Sequence, residues 1–139
     1  MNNNVIFLPV LAHMLLVFGL YVFLGKVKSR AVKAGQVDRK KAALDAREWP
    51  EYVVKVSNNL ANQFESPILF YMLSVMYFLS NNVSAVVITL MSFYVISRYI
   101  HAYVHVGSNY VPYRFKSFLV GVLTLLALTL YLVFNIVAM

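Results

Sequence analysis

The sequence predicts an all-α integral membrane protein, a bundle of four transmembrane helices, and two observations lead there. The first is composition: of 139 residues, 61% are hydrophobic and 12% are charged, about half the charged share of a soluble domain. The second is four apolar stretches, Val5–Leu24, Leu60–Leu79, Val83–Val104 and Phe118–Ala138. Each is close to the ~20 residues that cross ~30 Å of hydrocarbon. Backbone groups in lipid have no water to bond, so these stretches must be helical. The expected elements are helices at about 5–30, 47–80, 83–106 and 113–138 in a single domain spanning 1–139, with a basic loop at about 31–46.

The first stretch has no basic residue before it and no small-residue cleavage site after it, which makes it a permanent helix rather than a signal peptide. His13 within it is a lone ionisable residue and is expected to be a hydrogen-bonded interior histidine. Lys26, Lys28, Arg30, Lys33, Arg39, Lys40 and Lys41, seven of the twelve Lys and Arg, follow directly, so the net charge of +7 is concentrated beside this span. Cations concentrated beside a membrane span obey the positive-inside rule and do not describe a nucleic-acid surface. They place this loop in the cytoplasm and both termini on the opposite side.

Asp45 is positioned to cap a helix that starts near Arg47, and Trp49 with Tyr52 suits an interfacial belt. From there Val53, Val56, Leu60 and Phe64 recur at helical spacing, which predicts one continuous second helix. Pro67 should bend that helix or free the Gln63 carbonyl, because it lacks an N–H and clashes with the preceding turn. The turn Asn81-Asn82 reverses the chain into the third helix.

Counting outward from that turn, Glu65 is level with Arg98, Asn62 with His101, and Asn58 with His105. Each trio repeats at helical spacing, so two polar stripes are expected to meet at three levels, with the carboxylate and guanidinium deepest. Ionisable groups within a membrane cost roughly 2.5 to 3.5 kcal/mol each and mark functional sites by default. A single pair would also serve to orient helices, whereas three stacked levels favour a site. His101 and His105 stand at i, i+4 as a metal-binding pair would, but no third ligand accompanies them. Cysteine is absent, so any thiol chemistry must be brought by a cofactor.

The four short spans, the basic first loop, "NQFESP" and "RYIHAYVHVGSNYVPYR" together resemble the MAPEG family, the membrane-associated proteins in eicosanoid and glutathione metabolism. The resemblance implies a homotrimer that binds glutathione between neighbouring subunits at the cytoplasmic end. There it would conjugate, isomerise or reduce lipophilic substrates drawn from the bilayer. It assigns Asn62, Glu65, Arg98 and His101 to the glutathione site, with Asn58 and His105 continuing the stripe. Arg114 falls beside the thiol as the catalytic group, and Lys28 and Arg30 lie where the family offers cations to a carboxylate.

This chain departs from the eicosanoid-forming members by carrying Asn58 and Ala61 where relatives have arginine, and Phe115 and Phe118 where the prostaglandin-forming member has hydroxyls. A second reading is therefore a family scaffold that binds a different lipid or anionic ligand. A small multidrug transporter is the third. Such transporters carry their glutamate in the first helix, where this chain has only His13. The short chain and minimal loops suggest a bacterial inner membrane.

Overall fold

The computed structural model describes residues 2–137 and is all-helical. A 3₁₀ turn at Asn3–Ile6 leads into α1 (Phe7–Lys33), followed by the short α2 (Arg39–Ala42), α3 (Glu51–Asn62), α4 (Pro67–Leu79), α5 (Ala85–Val106) and α6 (Val111–Val137). The expected end of the last helix, at Ala138, lies outside the described residues. Three of these helices are long and apolar enough to cross a membrane: α1 with its leading turn, α5 and α6.

The helix ends follow local chemistry. At the end of α1, Gly35 adopts φ +66°, its N–H bonds the Val32 carbonyl, and the Gln36 N–H reaches back to Ala31. This is a Schellman cap, for which glycine carries no Cβ penalty. Asn81, with φ 55°, closes α4 in the same way, and the Asn82 N–H reaches the Tyr77 carbonyl. Asn3 ties the chain start to this turn through a 3.0 Å hydrogen bond to the Asn81 side chain.

The continuous second helix expected at 47–80 is instead two helices. Asp45 does cap the chain by accepting from the Arg47 N–H, but only one 3₁₀ turn, Ala46–Glu48, follows. Pro50 forces Trp49 into extended backbone, with φ −80° and ψ 145°, so α3 begins at Glu51. Its second end is set by Pro67, which occupies the first turn of α4, where its missing N–H costs nothing. A helix running through 63–67 would push the proline ring into the Gln63 carbonyl. Residues 63–66 therefore form a bend.

Packing then divides the molecule. α1 lies against α3 and α5, while α5 and α6 form the most extensive helix pair. Gly121 makes their close approach possible, because a Cβ there would sit 3.0 Å from Ser97 Oγ. Toward the Asn81 turn the core is apolar: Ile6, Phe70, Tyr77, Val87, Met91 and Leu128 are all fully buried. Phe70 stacks on Tyr94 at 4.8 Å. Next to that pair, His13 is buried and its Nδ1 lies 2.7 Å from the Tyr71 hydroxyl, the interior placement expected for it.

Candidate functional site

At the basic-loop end, polar side chains replace this apolar core. Arg98 on α5 is completely buried. Its Nη2 donates to the Asn62 side-chain oxygen at 2.5 Å, to the Asn62 carbonyl at 3.4 Å and to Gln63 Oε1 at 3.3 Å. Asn62 in turn donates from Nδ2 to Glu65 at 2.9 Å. The direct pairing expected of Glu65 with Arg98 is thus replaced by a relay in which the Asn62 amide joins the two. The cause is the bend at 63–66, which turns Glu65 outward to an exposed position while Arg98 stays inside.

The register across the helices differs from the count for the same reason. Asn62 faces Arg98 rather than His101, and Asn59, not Asn58, reaches across α5 to the Ala102 carbonyl at 3.3 Å. Asn58 is exposed. Gln63 donates to both the carbonyl and the side chain of Asn59 at 3.1 Å. Asn59 and Gln63 were missed from the sequence although they sit at i, i+4. They belong to the neighbouring stripe of the same helix, which is the stripe that α5 covers.

A cavity of about 230 Å³ opens above this buried layer, lined by Asn62, Glu65, His101, His105, Arg114 and the rings of Phe115 and Phe118. Five of the predicted site residues therefore converge, with Arg98 beneath them. His101 Nδ1 donates to the Arg114 carbonyl at 3.0 Å, which assigns the proton to Nδ1 and leaves Nε2 as an acceptor. That Nε2 is buried without a partner, as are His105 Nδ1 and both Nε and Nη1 of Arg98. Buried polar atoms are nearly always bonded, so two unbonded nitrogens on cavity-lining histidines and two more on the neighbouring Arg98 are unusual.

Arg114 is oriented by a residue that sequence reading passed over. Asn109 adopts φ 52°, a left-handed conformation that asparagine tolerates, and its side chain accepts from Arg114 Nη1 at 2.6 Å. Lys28 and Arg30 do not reach this cavity. The Lys28 ammonium stands 4.9 Å from the centre of the Trp49 ring, and Arg30 lines a separate open groove with Lys26 and Lys33 along α1.

Three helices long and apolar enough to cross a membrane, with a buried guanidinium and a polar cavity at one end, are the features of an integral membrane protein. The profile of the MAPEG family matches residues 6–134, and the chain belongs to that family. No individual curated protein and no solved structure matches the chain significantly.

Proposed function

We propose that this protein is a membrane-bound, glutathione-dependent transferase or peroxidase acting on lipophilic electrophiles. The observation that carries the reading is the convergence of Glu65, His101, His105 and Arg114 on one cavity, beside a buried Arg98 that is bonded to the cavity residue Asn62 and keeps two unbonded donors. Glutathione presents two carboxylates, an ammonium and a thiol. The exposed Glu65 carboxylate suits the ammonium, and the guanidinium of Arg114 suits an anion. When bound, glutathione would supply the nucleophilic sulfur that the cysteine-free chain lacks. Arg114, held by Asn109, would favour the ionised form of that sulfur, as cations do for thiols generally.

A cavity of about 230 Å³ falls short of the ~300 Å³ at which ligand pockets begin. A homotrimer would complete it with a wall from the next subunit, bringing Lys28, Arg30 and Asn58 into reach of a bound carboxylate. In this reading α3 and α4 jointly make the fourth crossing, the basic loop faces the cytoplasm, both termini face away from it, and the host membrane is a bacterial inner membrane.

Calorimetric titration of the detergent-purified protein tests the proposal. Saturable glutathione binding that is lost in both Glu65→Gln and Arg98→Ala supports it. Absence of heat at millimolar glutathione, with the protein folded, overturns it. The phenyl rings of Phe115 and Phe118 on the cavity wall favour a second reading, a non-catalytic scaffold that binds a lipid or other anionic ligand. That reading predicts binding of an amphiphilic acid in the same titration where glutathione is silent.

A further inference from the structure

On the faces of α5 and α6 turned away from the cavity lies a groove of about 500 Å³, and the two features share no residue. Its walls on α5 run from Phe93 through Ile96 and Ile100 to Val104. That is a rise of roughly 16 Å at 1.5 Å per residue, about half the ~30 Å hydrocarbon layer and so one leaflet deep. Ser97 and Ser117 lie in it, yet each hydroxyl is already donated within its own helix: Ser97 to the Tyr94 carbonyl at 2.6 Å, Ser117 to the Tyr113 and Arg114 carbonyls. Small residues thus make the depression without presenting a free polar group, so the groove is apolar throughout its depth.

At its basic-loop end the groove finishes in Lys116 and Tyr113. The ammonium stands 6.0 Å from the tyrosine ring centre and has no carboxylate partner. The ion pairs among the described residues are Arg47–Asp45 and Lys55–Glu51. No acidic residue lines the groove. We infer that the α5–α6 groove holds one acyl chain of an anionic phospholipid, with the lipid phosphate on Lys116. Three features argue for this occupant: a depth of one leaflet, a cation where the headgroups begin, and no carboxylate to receive the ammonium of a zwitterionic lipid. Lysines at this level extend their charge to the interface along an apolar stem, and a headgroup phosphate meets it there.

The chain has one tryptophan, Trp49, so Trp49→Phe combined with Phe93→Trp places a single fluorophore in the groove. The protein is reconstituted in bilayers that contain increasing fractions of phosphatidylglycerol or phosphatidylcholine brominated on the acyl chain. Half-maximal quenching is expected at a several-fold lower fraction of phosphatidylglycerol, and Lys116→Gln should abolish that preference. Phe93 and Lys116 are both exposed, so neither change disturbs packing, and circular dichroism verifies this. Equal quenching by the two lipids, or a preference that survives Lys116→Gln, overturns the inference. Quenching by neither lipid also overturns it and assigns the groove to contact with a second copy of the chain. A brominated fatty acid that displaces both lipids would replace the phospholipid with a free acid.

Discussion

The two ends of the α5–α6 pair are buried on different terms. Toward the Asn81 turn, apolar side chains fill the interior and the few polar ones are bonded. Ser74 donates to the Phe70 carbonyl at 2.7 Å, and the Tyr77 hydroxyl donates to the Leu128 carbonyl at 2.5 Å. The exceptions are the Asn82 amide, in the turn itself, and Nε2 of His13, beside the Phe70–Tyr94 pair where the two ends meet. Toward the basic loop, Arg98, His101 and His105 are equally buried but keep unbonded nitrogens. A polar network whose only task was to fix the helices would be satisfied, because a half-bonded buried network is worse for stability than an apolar core. The difference teaches that the first end holds the fold, while the second keeps unused hydrogen-bonding capacity, which the proposed function assigns to a ligand.

The largest effect that would sharpen this contrast lies at the apolar end. Leu128 is fully buried, and Leu128→Ala should cost about 2–5 kcal/mol through lost transfer energy and the cavity left behind. Reversible unfolding in mixed micelles measures the loss. Glutathione affinity of the fraction that remains folded should not change. A collapse of both together would erase the division between the two ends.

Arg98→Met probes the opposite end and should do the reverse. Exchanging a buried charge for an apolar side chain of similar length removes a desolvation cost, although the Asn62 and Gln63 oxygens lose their donor. These terms oppose each other, so stability should stay within about 1 kcal/mol of the parent while glutathione binding disappears. Destabilisation as large as that of Leu128→Ala would make Arg98 a structural residue and break the comparison.

The apolar end was the more legible of the two in the sequence. Hydropathy alone located α1, α5 and α6, since a span depends on length and composition and not on partners. The polar end was legible in part of its membership: Asn62, Glu65, His101, His105 and Arg114 line one cavity, whereas Lys28, Arg30 and Asn58 do not. It was not legible in its pairing. Counting from the turn assumes an unbroken rise of ~1.5 Å per residue, and the bend at 63–66 violates that assumption for every residue beyond it. Pro67 announced the bend, but a proline can kink a helix or end it, and only packing decides which. The choice of stripe was equally open. Asn58 with Asn62 and Asn59 with Gln63 are adjacent rows on one helix, and which row faces inward depends on where α5 lies. Asn109 carried no periodic signal, because its role comes from a left-handed backbone conformation in a loop.

The smallest effect concerns α3, the element that carries the polar residues to the site. Its first turn holds an i, i+4 pair in which Lys55 Nζ lies 2.7 Å from Glu51 Oε1. The hydrogen bond and charge of Lys55 hold the Glu51 carboxyl below its ordinary value. A carboxylate depressed in the folded state stabilises above the ~4.3 of the unfolded chain, and that contribution is lost as pH falls through the folded value. Glu51 is fully exposed, so salt should screen the interaction. Amide exchange at Val53 and Val54, whose N–H groups bond the Pro50 carbonyl, should therefore gain protection above the acid range. Glu51→Gln should abolish that gain, and high salt should shrink it. Glutathione affinity at neutral pH should be the same in Glu51→Gln as in the parent, because Glu51 lies about three helical turns from Asn62 and neither member of the pair lines the cavity. If affinity followed the Glu51 titration instead, α3 would move as one body with the site and the polar end would extend to the start of that helix.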